Sequence, residues 1–98
     1  MIYETIEPCR RKKGFEGIPS EFYQVPLEIL KNELIKTLDS YKLLRETKVM
    51  LVLQNEKNGY KISIFPSCRI FIHGDVDEKE AKEILNEISN SIKHILSS

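Results

Sequence analysis

Residues 60–75 read YKISIFPSCRIFIHGD, with apolar residues at every second position on both sides of the proline. Because successive side chains of a β-strand point to opposite faces, this spacing predicts two short strands that share one buried face. The buried face would carry Tyr60, Ile62, Ile64, Ile70 and Ile72. We therefore expect a hairpin whose turn is Pro66-Ser-Cys68 and whose second strand ends at Gly74.

The opposite face of this hairpin mixes aromatic, cationic and hydroxyl side chains: Lys61, Ser63, Phe65, Arg69, Phe71 and His73. A face that meets only water is usually built from Lys, Glu and Thr, whereas aromatic residues beside cations are typical of contact surfaces. We predict that this face binds a ligand, a nucleic acid or a second subunit. Its contact residues would be Lys61, Phe65, Arg69, Phe71 and His73. Alternatively, the two phenylalanines cover a sheet edge or lie under the N-terminal loop.

The N-terminal part of the chain contains one predicted strand and one predicted helix. Residues 2–7 alternate loosely and favour a strand, which Pro8 either ends or marks as an edge strand. The glycines and proline of residues 14–20 predict irregular structure. Leucines then recur at spacings of three and four from Leu27 to Leu38, and Tyr41 continues the pattern. This periodicity predicts an amphipathic helix over about residues 26–42.

The C-terminal half contains further strand and helix signals. The apolar run at residues 47–53 predicts a central strand. The Asn58-Gly59 dipeptide predicts the turn of an antiparallel hairpin, because both residues accept a positive φ. Asp77 and Glu80 have the spacing of a capping box and precede an apolar stripe, so we expect a long helix over about residues 78–96.

These elements predict one α+β domain that covers all 98 residues. The expected order is β-α-β-β-β-α, with an antiparallel sheet of about four strands. Two amphipathic helices need one sheet face on which to bury their apolar stripes. We therefore expect a two-layer domain with both helices on the same face.

The segment from Tyr41 onward resembles one half of the TATA-box-binding protein fold. Residues 49–53 and 62–65 stand where that family has an apolar strand and a short strand ending in phenylalanine, and Arg69-Ile-Phe-Ile-His-Gly74 stands where it has Lys-Met-Val-Val-Thr-Gly. The resemblance implies that Phe65 corresponds to a phenylalanine that wedges between base steps. Phe71 and His73 replace a small Val and Thr, and a single half implies dimerisation. A similar strand-turn-strand-helix closes some archaeal adenylyltransferases of the ThiF/MoeB type.

Cys68 is the one thiol in this hairpin, and the neighbouring Arg69 makes it a candidate reactive thiol, because a cation lowers a thiol pKa. A metal site formed by Cys9, Cys68 and His73 would have at most three ligands and none of the spacings typical of zinc sites. The sequence contains no P-loop, GxGxxG or Ser-His-Asp arrangement. We therefore expect no metal, no cofactor and no catalysis.

The 15 basic and 15 acidic side chains cancel, which is atypical of a strongly basic nucleic-acid-binding protein. Four consecutive cations, Arg10, Arg11, Lys12 and Lys13, nevertheless predict a solvated loop that could grip an anion. We expect no membrane span, no signal peptide and a cytoplasmic location. The resulting hypothesis is a small non-catalytic binding or accessory module, acting as a homodimer or on a protein partner. The alternatives are nucleic-acid binding and an accessory role in sulfur or cofactor chemistry through Cys68.

Overall fold

The computed structural model describes residues 2–8 and 13–96. These residues form six strands and two helices. In chain order they are β1 (Tyr3–Pro8), β2 (Gly14–Pro19), α1 (Leu27–Thr37), β3 (Tyr41–Glu46), β4 (Leu51–Asn55), β5 (Lys61–Ile64), β6 (Ile70–His73) and α2 (Glu78–Leu96). The α+β class is therefore confirmed, whereas the described sheet has six strands instead of the expected four.

All six strands belong to one antiparallel sheet with the order β1-β2-β6-β5-β4-β3. The hairpin β5–β6 therefore lies at the centre, and β1 and β3 are the two edges. Both interpretations of Pro8 hold, because β1 ends at Pro8 and lies at an edge, where Pro8 pairs with Phe15. An edge tolerates proline because one side of the strand has no neighbour to receive a hydrogen bond.

Both helices pack on the sheet face that the alternation of residues 60–73 predicted to be buried. Ile62, Ile64, Ile70 and Ile72 are completely buried there, and they share one core with side chains of both helices. The helical contribution consists of Leu30, Leu34, Ala81, Ile84, Leu85, Ile88 and Ile92. We call this side the covered face and the opposite side the open face.

The turn between β5 and β6 forms where it was predicted. The Cys68 backbone N–H donates to the Phe65 carbonyl at 2.8 Å, and the Phe65 N–H donates to the Arg69 carbonyl at 3.1 Å. Cys68 has a φ of 70°, a left-handed conformation that glycine usually supplies in three-residue hairpin loops. The Tyr3 hydroxyl donates a buried hydrogen bond of 2.7 Å to the Cys68 carbonyl, which helps to hold this conformation.

The prediction of irregular structure at residues 14–20 is wrong, because Gly14–Pro19 is strand β2, paired with both β1 and β6. Its glycines permit close approach to neighbouring elements. A Cβ on Gly17 would lie 2.6 Å from a methyl group of Leu85 on α2. A Cβ on Gly14 would lie 1.9 Å from the Ile72 carbonyl oxygen on β6. Glycine in a strand can thus mark tight packing as well as a break.

The predicted helix over residues 26–42 is too long, because α1 ends at Thr37 and Tyr41 begins strand β3. Leu38 and Tyr41 are both buried, so they continue the apolar spacing although only the earlier leucines are helical. The predicted strand at 47–53 is also shifted. Residues 47–50 form the β3–β4 turn, in which the Thr47 hydroxyl accepts hydrogen bonds from the Val49 and Met50 N–H groups.

The Asn58-Gly59 turn, the capping box and the long helix form where they were predicted, although Asn58 does not adopt the positive φ expected of it and Tyr60 precedes β5 and is only partly buried. Gly59, with a φ of 78°, lies in the turn between β4 and β5. Asp77 and Glu80 form the predicted capping box, since the Glu80 N–H donates to Asp77 Oδ1 at 2.8 Å and the Asp77 N–H to Glu80 Oε1 at 3.4 Å. The long helix α2 covers Glu78–Leu96, close to the predicted bounds.

Candidate binding face on the open side of the sheet

The strand register places side chains on the open face in two rows that cross the sheet. Directly paired residues of antiparallel strands share a face. The first row runs through Glu7, Glu16, Phe71, Ser63, Val52 and Arg45, from β1 to β3. The second row runs through Gly14, His73, Lys61, Gln54 and Lys42, from β2 to β3. The open face therefore combines aromatic, acidic and basic side chains.

Phe65, Arg69, Phe71 and His73 form a contiguous group, which we call the aromatic cluster. The Phe65 and Phe71 rings meet edge to face, with centroids 5.8 Å apart. The guanidinium carbon of Arg69, just before β6, lies 5.6 Å from the centroid of Phe71, and the His73 ring stacks on Phe71 at 6.3 Å. Such cation–π and aromatic contacts are favourable beyond the area that they bury. Phe65, Phe71 and His73 remain half-buried, so the cluster is partly open to solvent.

Polar contacts anchor the aromatic cluster to neighbouring strands. The Arg69 guanidinium forms an ion pair with the Glu16 carboxylate on β2. The Ser63 hydroxyl lies 3.3 Å from Nε2 of His73, and Ser63 itself is only 7% exposed. Arg69 is held between a carboxylate and a ring, and His73 between a hydroxyl and a ring. The surface is therefore organised before any partner arrives.

The structure brings together the predicted contact residues, since Lys61 pairs directly with His73 and thus adjoins the aromatic cluster on the same face. Of the predicted anion-binding loop, Arg10, Arg11 and Lys12 lie outside the described residues, and Lys13 is exposed just before β2. Cys9 also lies outside the described residues.

Sequence reasoning missed the charged residues at both ends of the rows, namely Glu7, Glu16, Lys42 and Arg45. The alternation of Phe15 and Gly17 with Glu16 could have indicated a strand in β2, but the glycines obscured it. For β3, the continued helical spacing of Tyr41 masked the strand that carries Lys42 and Arg45.

The properties of Cys68 are opposite to those expected of a reactive thiol. Cys68 is completely buried, and burial raises the pKa of its thiol to about 11. The thiolate is the nucleophilic form, so at neutral pH this cysteine is almost entirely in its unreactive state. Among the described residues, no group of three or more His, Cys, Asp or Glu side chains is placed to hold a metal ion.

A concave region lies on the opposite side of the molecule, between the C-terminal parts of the two helices. This open cleft of about 400 Å³ is lined by Thr37, Leu38, Glu87, Asn90, Ser91 and His94. Its polar groups connect the helices to each other: the Thr37 hydroxyl contacts the Ser91 hydroxyl, and His94 Nε2 lies 2.9 Å from the Glu33 carboxylate. These contacts account for the cleft as a helix–helix junction, and the open face remains the stronger candidate site.

Comparisons of the chain with protein-family models, curated proteins and solved structures found no match. The resemblance to half of a TATA-box-binding protein therefore stays a prediction. In the part of the chain that the structure describes, neither helix is both long and apolar enough to cross a membrane.

Proposed function

We propose that this protein is a non-catalytic binding module that acts through the open face of its sheet. The aromatic cluster is the observation that supports this proposal. Phe65 and Phe71 lie half-exposed beside Arg69 on the side of the sheet opposite both helices. Aromatic residues and arginine are enriched at the energetic centres of protein interfaces, because they bury large areas and offer directional contacts.

The geometry of the Ser63–His73 contact supports binding rather than nucleophilic catalysis. The two side chains lie within 3.3 Å of each other, as a nucleophile and its base would. Ser63, however, is 7% exposed and is flanked on its row by Phe71 and Val52. A substrate would have little access to this hydroxyl, so its role here is to orient the imidazole.

Nucleic-acid binding is the second candidate, and the second row favours it. Lys42 and Lys61 point from the same face along one line across the sheet, and exposed Lys13 precedes β2 at the end of that line. Such a line of cations could follow a phosphate backbone. The Phe71 ring, however, already has Arg69 on one side and His73 in a stack, whereas base stacking needs an open ring face.

An accessory role in sulfur or cofactor chemistry through Cys68 is a weaker alternative. The burial and the raised pKa of this thiol leave no accessible nucleophile in the folded state. We therefore base the proposed function on the open face alone.

NMR chemical-shift mapping tests the proposed function without assuming a partner. Amide shifts would be recorded over a protein concentration series and then during addition of a 20-nucleotide single strand. We expect changes at Lys61, Phe71 and His73 in at least one series, and none on the exposed surface of α2. Phe71→Ala should abolish the changes. Ile35→Ala, which removes a half-exposed apolar side chain on α1, is the matched control and should preserve them. The absence of chemical-shift changes on the open face in both series would contradict the proposal.

A further inference from the structure

Charge on the open face is separated between the two edges of the sheet. In the first row, Glu7 and Glu16 lie on β1 and β2, and Arg45 lies on β3 at the far end. With strands about 4.8 Å apart, five intervals separate Glu7 from Arg45 by about 24 Å. A direct contact between these two residues within one chain is therefore impossible.

The charges at both ends of this row lack compensation among the described residues. Arg69 neutralises Glu16, but no ion pair in the described part of the chain involves Glu7 or Arg45. Glu7 also lies directly opposite Glu16, an arrangement of like charges that is unfavourable. A cation from another molecule near Glu7 and an anion from another molecule near Arg45 would compensate these two charges.

The two-fold stacking of one open face on another can supply both charges at once. If the two-fold axis runs parallel to the strands, β1 of one copy faces β3 of the other, so Glu7 meets Arg45 at two equivalent positions. If the axis runs across the strands, β1 faces β1 and like charges meet. Sheets commonly stack with their strands aligned to within about 30°. Charge complementarity therefore selects the axis parallel to the strands.

We propose that the occupant of the open face is a second copy of this chain, docked so that Glu7 of each copy pairs with Arg45 of the other. This inference rests on the proposed function, because it uses the same face as a binding surface. The aromatic cluster lies on the central hairpin, in β6 and in the turn that joins it to β5, so the two clusters meet near the axis and form the apolar centre of the interface. Such a centre surrounded by charged residues is typical of specific interfaces.

The edges of the sheet disfavour the competing mode of association, in which strands pair edge to edge. β1 ends in Pro8, and β3 has a bulge between Leu43 and Arg45. Proline and bulges are devices that prevent such pairing. Because the open face is only about 24 Å wide, we expect a dimer at the weak end of the range for specific complexes.

Sedimentation velocity over a wide concentration range tests this arrangement with charge reversals. Glu7→Lys places two lysines against two arginines, and Arg45→Glu places two glutamates against two glutamates. We expect each variant alone to dimerise at least about tenfold more weakly than the wild type. In an equimolar mixture, the heterodimer of the two variants has two complementary pairs, one of reversed polarity and one as in the wild type, and we expect it to recover dimers. Glu83→Lys and Lys36→Glu, which are exposed on the helices, are charge-matched controls that should dimerise like the wild type.

Recovery on mixing is the decisive result, because a charge change that acts only within one chain cannot be rescued by a second variant. If the variants dimerise weakly and mixing them does not restore dimerisation, the proposed orientation is wrong and the proposed function is unaffected. If the protein stays monomeric and binds the 20-nucleotide single-stranded nucleic acid through the open face, a second copy is not the occupant, but the proposed function still holds. If the protein stays monomeric and does not bind the single-stranded nucleic acid, both the proposed occupant and the proposed function are wrong. Circular dichroism melts of each variant would verify that it is folded.

Discussion

The two faces of the sheet are made from alternate residues of the same strands, yet they have different physical roles. On β6, Ile70 and Ile72 are completely buried beneath the helices, whereas Phe71 between them is half-exposed beside Arg69. Burial of the isoleucines stabilises the fold through the hydrophobic effect. The open-face side chains bury less area, so their contribution should appear in association more than in folding. The difference shows that an apolar residue in a strand is not by itself a core residue.

The largest effect should come from truncation on the covered face. Ile72→Ala removes a completely buried side chain, and we expect a loss of about 2–5 kcal/mol in the free energy of unfolding. Urea denaturation at low protein concentration, where association contributes little, would measure it. The neighbouring Phe71→Ala is the matched control on the open face, and its loss should be clearly smaller. An equal loss for both variants would contradict the functional separation of the faces.

A smaller effect should follow removal of the hydrogen bond that supports the hairpin turn from the covered side. Tyr3→Phe leaves the Cys68 carbonyl without its buried donor, so we expect a loss of about 1–3 kcal/mol. Thermal or urea unfolding would measure the loss. Tyr23→Phe serves as the control, because the Tyr23 hydroxyl makes only an exposed contact with Glu21 at 3.4 Å. Comparable losses in the two variants would mean that the buried Tyr3–Cys68 hydrogen bond stabilises the fold no more than an exposed contact does.

The helix that protects the covered face should depend on its capping box. Asp77→Ala removes the acceptor for the Glu80 N–H, and we expect a loss of about 1 kcal/mol in unfolding free energy. Asp77→Asn retains a side-chain oxygen and should lose much less. If Asp77→Asn loses as much unfolding free energy as Asp77→Ala, the negative charge near the helix N-terminus, rather than the hydrogen bond, provides the stabilisation.

Burial of Cys68 on the covered side should make stability sensitive to alkaline pH. Burial raises the thiol pKa from 9.0 to about 11, so the folded state holds its proton where the unfolded state has lost it. The contribution to stability is complete below pH 9 and declines as the pH rises from about 9 to 11. Urea unfolding across this range should show a shallower decline in Cys68→Ala than in the wild type. Identical slopes would contradict the assigned environment of the thiol.

The smallest effect on folding should come from the polar contacts of the open face. Arg69 is 48% exposed in its side chain, and exposed ion pairs contribute about 0–1 kcal/mol. We therefore expect Arg69→Gln to change the unfolding free energy by less than about 1 kcal/mol, with little further change in the double variant Arg69→Gln/Glu16→Gln. A larger loss in urea denaturation would show that the aromatic cluster also stabilises the fold.

The aromatic cluster was predictable because its signal is local. The five predicted contact residues lie on one hairpin, and the alternation along residues 60–73 predicts that Lys61, Phe65, Arg69, Phe71 and His73 share a face. The ends of the rows were not predictable in this way. Glu7 and Arg45 belong to the same row only through four intervening strands, and no spacing along the chain records that register.

The sequence by itself determined the α+β class, the central hairpin, the Asn58-Gly59 turn and the capped helix α2, because each depends on periodicity or on residues a few positions apart. Only the tertiary structure decided that Gly14–Pro19 is a strand and that the segment after Thr37 leaves the helix. In the first case, Leu85 and Ile72 occupy the space that glycine leaves open. In the second, the buried side chains of Leu38 and Tyr41 satisfy the same apolar spacing in a turn and a strand as they would in a helix. Local patterns specify which residues are buried, whereas contacts between distant segments specify the backbone that buries them.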